Sequence, residues 1–321
     1  MHKYYKFVTI CYILKEEEMF MIQIQNMTKK FGDICAVNDI SLEIPEGMMF
    51  GLLGTNGAGK TTLLRMLSGI LEADSGNVMV YGNPLETAKK KIFYLPDDPY
   101  YFPNASMEQM ARFYEGQYPE TDREAVSYMA ETLELDVNRP LRTFSKGMKR
   151  QAFLILALCA GTKYLLCDEV FDGLDPIVAE VMKNLFREEM KERKFTAVVA
   201  SHRLNELEDI CGNIAILHKG GLVTAGDMRG RAEHVRKYQC VFPDSTDIEK
   251  LEQELGKALD LVRFHADGSF VTLVVRDAEG RAGESLRAQA AEVIKEAPMS
   301  LEEIFIAEME GKDYDIRKEL H

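Results

Sequence analysis

The 321-residue sequence has no surplus of positive charge: 39 Lys and Arg stand against 52 Asp and Glu, a formal net charge of -13. A protein that grips a phosphate backbone needs a basic surface, so general nucleic-acid binding is not expected, a single local basic groove aside. Long hydrophobic runs are also missing, and none approaches the roughly 18 residues of a membrane helix. The cysteines are Cys11, Cys35, Cys159, Cys167, Cys211 and Cys240; no two form a C-x-x-C pair, and no Cys/His cluster has zinc spacing. Several lie in apolar runs, where a thiol acts as a small hydrophobe, which fits a reduced cytosolic compartment best. There is no internal repeat and no low-complexity segment. What is present is an ordinary soluble composition, 46% hydrophobic and 28% charged. The length allows one large domain plus a small one, or two of medium size.

Residues 1–20 differ from the rest. A short apolar run over 7–14 follows His2, Lys3 and Lys6 and precedes three glutamates. It has no A-x-A-like cleavage site and is short for a secretory core, so it reads as an extension outside the fold, with Met19 and Met21 as alternative starts.

The chain is organised around Gly54-Thr55-Asn56-Gly57-Ala58-Gly59-Lys60-Thr61-Thr62, which fits the phosphate-loop pattern G-x-x-x-x-G-K-[ST]. By chance such a match arises roughly once in a hundred sequences of this length. The context agrees with it: an apolar strand pattern over 48–53 enters the loop. A helical pattern over 60–70 leaves it, with Leu63, Leu64, Leu67 and Ile70 on one face. The glycines let backbone N–H groups close around phosphate oxygens, and the helix N-terminus adds a positive dipole end. Lys60 would reach the β- and γ-phosphates, and the Thr61 hydroxyl would ligate Mg²⁺.

Other segments fall around that motif. Alternation over 21–25 predicts an antiparallel edge strand, and 40–44 alternates again. Between them Phe31 is a lone aromatic, which by itself reads as a core or turn residue and could stack on an adenine ring only if the later motifs call for one. A strand over 91–95 ends at Pro96-Asp97, and 104–138 reads as an inserted helical subdomain. A helix over 149–160 follows Ser145. A buried strand over 164–167 ends in Asp168-Glu169, expected beside the phosphate-loop strand, where a carboxylate is the usual second Mg²⁺ anchor. Glu169 is then placed to polarise an attacking water. After a helix over 177–193, a third apolar strand over 196–200 ends at Ser201-His202, and ligand crevices in parallel sheets lie at strand C-terminal ends. A hairpin over 213–224 is expected to close the domain.

Residues 232–321 read as a small α+β domain. Its expected parts are a strand over 238–242, a helix over 247–258 and a hairpin around Asp267-Gly268 with a four-residue loop. A helix over 284–297 and a capping box at Ser300 opening a last helix follow.

Taken in order, these motifs resemble the ATP-binding subunits of ABC transporters, over about residues 21–231. Gly54–Thr62 looks like the Walker A loop, Ser145-Lys146-Gly147-Met148 like the signature motif and Leu165 to Glu169 like Walker B with its catalytic glutamate. Gly173-Leu174-Asp175 looks like the D-loop, His202 like the switch histidine, and Phe31 occupies the place of the adenine-stacking aromatic. Tyr-Leu-Pro-acid over 94–97 and the Ser-Lys-Gly-Met signature are similar to the bacterial type-2 exporter subgroup, whose permease is a separate chain. The resemblance implies an α/β P-loop ATPase fold with an antiparallel β subdomain and an inserted helical subdomain. It implies ATP and Mg²⁺ as ligands and hydrolysis of ATP to ADP and phosphate. Thr61, Asp97 and Asp168 would serve the metal, Glu169, His202 and Lys60 the reaction. Ser145, at the start of its helix, would serve the nucleotide of a second ATPase subunit, and Lys146, Gly147, Asp97, Asp168 and Asp175 would also serve nucleotide binding. The implied location is the cytoplasmic face of the plasma membrane, through the permease, with no nucleic acid. The sequence departs from the family at Phe144, Lys146 and Val170, and at Asp97, where Gln is usual. Two rivals, a same-fold ATPase acting on nucleic acid or ribosomes and an ATP-binding module without turnover, fit less well. The chain lacks coiled-coil insertions or a second ATP domain, and it keeps Glu169 and His202.

Overall fold

A computed structural model describes residues 20–227, 235–277, 280–299 and 303–304. The extension expected over 1–20 (Phe20 apart), the domain boundary expected at 231/232 and most of the last capped helix lie outside those residues. The chain divides into two compact units between Ala225 and Gly226.

The first unit is built on two sheets. Strands β1 (Phe20–Phe31) and β2 (Ile34–Pro45) form a long antiparallel hairpin, to which β4 (Ser75–Val80) and β5 (Asn83–Pro84) add in the order β2-β1-β4-β5. Alternation does the work locally: Ile22 and Ile24 are buried and pair across to Ile44 and Leu42, while Gln25 is exposed. The edge position expected for the first strand is not observed. β4 covers its other side, because Val78 and Val80 need the same core as Ile22 and Ile24.

The second sheet has the order β10-β9-β3-β8-β7-β6. Its members are β3 (Met49–Leu53), β6 (Ile92–Leu95), β7 (Tyr164–Asp168), β8 (Thr196–Ser201), β9 (Asn213–His218) and β10 (Gly221–Asp227). Strands β3, β7 and β8 are buried at every residue, as a parallel sheet covered on both faces requires. Helix α1 (Lys60–Leu67) leaves the glycine loop and buries Leu63, Leu64 and Leu67. It stops at Ser68-Gly69, where Gly69 has φ 70. Ile70, expected on the buried face, therefore lies beyond the helix and is exposed.

Between β6 and β7 lies the inserted helical layer. Helix α2 (Met107–Glu115) is opened by a reciprocal capping box between Ser106 and Gln109, and α3 (Arg123–Thr132) is capped by Asp122. Helix α4 (Lys146–Leu158) begins three residues earlier than the sequence pattern, because the Ser145 hydroxyl accepts from the Met148 N–H at 3.2 Å and caps it. Helices α5 (Pro176–Arg193) and α6 (Leu204–Glu208) complete the unit.

The second unit holds β11 (Val235–Val241), α7 (Ile248–Ala258), β12 (Asp260–Asp267), β13 (Phe270–Arg276), α8 (Ala282–Ala288) and β14 (Val293–Ala297), with strand order β12-β13-β11-β14. This is the split βαβ arrangement. Two expectations fail here. Asp267 pairs with Phe270, so the hairpin loop has two residues rather than four. The helix expected over 284–297 ends near Gln289, and Ala290 turns with φ 63. Residues 293–297 are β14, pairing with β11, because an open strand edge offers β-branched Val293 and Ile294 a full ladder.

Candidate functional site

The parallel sheet brings four loops to one edge. Its register pairs Leu53 with Ser201, Ala200 with Asp168, and Cys167 with Leu95, so the residues that follow these strands are neighbours. These are Gly54, His202, Glu169 and Pro96-Asp97. One detail departs from the sequence reading: β7 is not beside β3, since β8 lies between them. His202 thereby comes within reach of Glu169.

The glycine loop is shaped by close approaches. Gly59 has φ 103, and a Cβ there would lie 2.3 Å from the Ala36 carbonyl oxygen; a Cβ on Gly54 would lie 2.5 Å from that of Leu217. Only glycine fits such positions. The same approach brings the start of β2 against the loop, and Phe31, half exposed, stands at the tip of that hairpin with Lys29 Nζ 5.7 Å from its ring centre.

The Lys60 ammonium is buried. It donates to the Gly54 carbonyl at 2.6 Å and the Thr55 carbonyl at 3.2 Å, and stands 3.1 Å from Glu169 Oε1. The other oxygen, Glu169 Oε2, lies 2.7 Å from His202 Nδ1. An ionised carboxylate only accepts, so Nδ1 carries the proton and the ring is fixed in that orientation. The His202 loop is held in turn: Ser201 Oγ donates to Glu206 at 2.6 Å and accepts from the Arg203 N–H at 2.9 Å. Glu169 itself has φ 52, a left-handed conformation uncommon for a non-glycine residue and concentrated at functional sites.

Asp168 is buried beside this group. The Tyr94 hydroxyl donates to its Oδ2 at 3.3 Å and the Thr61 hydroxyl is close enough to favour its charged form, while Oδ1 is buried without a partner. Burial raises its pKa, against those hydrogen bonds and the charge of Lys60. A buried carboxylate with an unfilled oxygen next to a threonine hydroxyl is an all-oxygen donor set, and it fits a hard divalent cation such as Mg²⁺. Among the described residues no three His, Cys, Asp or Glu cluster to hold a metal unaided. Such an ion here needs further oxygens, which phosphates carry.

The remaining predicted residues have other partners. The Asp97 carboxylate is paired with the buried Arg150 guanidinium. Ser145, Lys146 and Gly147 open α4, facing the loop after β7: a Cβ on Gly147 would lie 4.0 Å from the Gly173 carbonyl oxygen. Asp175 caps α5, accepting from the Ile177 N–H at 2.9 Å. Two residues were missed: Tyr94, which is polar within the apolar run of β6, and Arg150, whose burial no local pattern signals.

Comparison with known proteins gives this geometry a family. The sequence profile of the ABC transporter family matches residues 37–172. The ABC transporter ATP-binding protein YtrB of Bacillus subtilis is 30% identical over 295 residues, covering 91% of this chain and 99% of its own. The Nod factor export ATP-binding protein I of Rhizobium etli is 28% identical over 302 residues, covering 91% and 94%. Among solved structures, an ATP-binding subunit of an ABC transporter superposes with a TM-score of 0.60 at 23% identity, covering 66% of this chain and 91% of that one. A dimeric ATP-binding cassette, MJ0796 with ADP and phosphate, superposes with a TM-score of 0.58 at 21% identity, covering 64% and 98%. At those identities the structures speak for the fold. On the sequence relationship and the site together, the chain belongs to the ABC transporter family, as an ATP-binding subunit with ATPase activity.

Proposed function

We propose that this chain powers a separately encoded membrane permease, as an exporter, by binding and hydrolysing ATP at a head-to-tail dimer interface. The observation that carries the catalytic part is the Glu169 carboxylate held between Lys60 and His202 at the end of the parallel sheet. The glycine loop from Gly54 to Gly59, with Thr62 in the following turn, would wrap the phosphates, and Lys60 would release Glu169 to meet them. Thr61 and Asp168 would hold Mg²⁺, which neutralises phosphate charge. Glu169 would orient the attacking water and accept its proton, and His202, fixed through Nδ1, would contact the terminal phosphate. Phe31 would stack on the adenine.

The dimer reading is supported by Ser145 and the first turn of α4, a helix N-terminus suited to a phosphate. The dimeric form of MJ0796 is consistent with it. Export is supported by the likeness to the Nod factor protein. A separate permease is supported by the described residues, among which no helix is long and apolar enough to cross a membrane. Residues 232–321 would be an accessory domain.

The test is affinity purification of the Glu169→Gln protein with Mg-ATP from its native membranes, followed by mass spectrometry. A polytopic membrane protein is expected to come with it. Ribosomes, DNA or a clean homodimer would overturn the permease reading. Steady-state ATPase at the wild-type level in that variant would overturn the role of Glu169.

A further inference from the structure

Arg150 sits in the second turn of α4 and is 6% exposed. Its guanidinium meets three residues on two loops, those after β7 and β6. Nη1 donates to the Glu169 carbonyl at 3.3 Å and lies 3.6 Å from Asp172 Oδ2, and Nη2 pairs with Asp97. Its Nε is buried without a partner, so the Nη contacts alone fix the group. Asp172 is tied further by Arg203, 3.2 Å from its other oxygen.

We infer that Arg150 is a positioning residue for Glu169, and that Asp97 holds Arg150 to that task. The left-handed backbone of Glu169 is strained and persists only where its surroundings over-determine it. They do so through both peptide groups: its N–H donates to the Ala200 carbonyl at 3.0 Å, and its carbonyl accepts from the Asp172 N–H at 3.2 Å as well as from Arg150. The carboxylate can face Lys60 and His202 only while the backbone holds this turn. A buried guanidinium in turn needs a countercharge. Asp97, half exposed on the loop after β6, supplies the close one. A displacement of that loop is thereby transmitted through Arg150 to the carboxylate that acts on water.

The inference rests on the reading of Glu169 given above, and the experiment separates the two. Full-length wild type, Arg150→Lys, Arg150→Met, Asp97→Asn, Asp97→Asn/Arg150→Lys and Glu169→Gln are compared for ATP turnover, ADP affinity, Mg²⁺ half-saturation and Tm. Lysine can pair with Asp97 but cannot also bridge to the Glu169 carbonyl. Arg150→Lys is expected to lower kcat about 10-fold, a typical effect of misplacing a catalytic group by a fraction of an ångström, with KM and ADP affinity within about twofold. Asp97→Asn is expected to lower kcat severalfold without shifting the Mg²⁺ requirement, and the double variant to add nothing to Arg150→Lys. Wild-type kcat in Arg150→Lys, or a lowered Tm with unchanged turnover per folded molecule, would overturn the inference. Multiplying losses in the double variant, or a raised Mg²⁺ requirement in Asp97→Asn, would overturn the part given to Asp97. If Arg150→Met does not fold, Arg150→Lys and Asp97→Asn decide the matter. Turnover retained in Glu169→Gln removes the Glu169 reading itself; turnover lost there but normal in Arg150→Lys removes only this inference.

Discussion

The Lys60 ammonium, which the glycine loop would offer to a phosphate, stands 3.1 Å from Glu169 Oε1. Both groups are largely buried, so the pair is poorly screened and must be parted before a terminal phosphate can take its place.

Removing the charge of Glu169 without changing its shape is therefore expected to ease nucleotide entry. Glu169→Gln should bind a non-hydrolysable ATP analogue about 3- to 10-fold tighter than wild type, the scale of one partly buried ion pair. Equilibrium binding checks this with no contribution from turnover. Unchanged or weaker binding would mean that Lys60 gains no freedom from the loss of its partner.

Gly59→Ala tests the glycine loop. The added Cβ meets the Ala36 carbonyl oxygen at 2.3 Å, in a backbone conformation of φ 103 that alanine resists. A loss of stability of about 1–3 kcal/mol is expected, together with loss of ATP binding. Denaturant unfolding and nucleotide titration measure the two effects separately.

The second unit has its own polar anchor. Asp277 is buried and accepts from the Arg281 N–H at 2.8 Å, the Ala282 N–H at 3.0 Å and the Tyr238 hydroxyl at 3.4 Å. It thereby fastens the start of α8 to β11. Asp277→Ala strands those donors and is expected to destabilise this unit by about 2–4 kcal/mol. Hydrogen exchange should show lost protection in β11 and α8, with β3 and α1 unaffected.

Burial pushes the Cys159 and Cys211 thiols up to about 12 and the Cys240 thiol up to about 11, and raises Cys167 as well. An unfolded thiol ionises near ~8.5. Above that pH the unfolded chain binds fewer protons than the folded one, so stability is full below it and falls as pH rises toward the folded values. Tm is expected to decline between about pH 8.5 and 11, and less steeply in a Cys159→Ala/Cys211→Ala variant. In native protein, peptide mapping after thiol labelling at pH 8 should find these four slow.

The glycine loop, Asp168-Glu169 and His202 could be read from the chain because each follows an apolar strand directly. Chemistry of that kind is local: a residue type at a fixed offset from a strand end. The sequence likewise determined the α/β class, through its alternating and uniformly apolar strands, and the family, through the order of its motifs. What it could not determine were choices made between distant segments. The placing of β8 between β7 and β3, which brings His202 onto Glu169, is a matter of strand order, and no local pattern encodes it. Residues 293–297 follow a helical stretch yet form a strand, because the free edge of β11 outweighs local preference. Asp97 reads as a metal ligand by its position in a motif. Only the folded chain places beside it a guanidinium from α4 that is cut off from water, and a buried charge takes the nearest countercharge wherever it lies in the sequence.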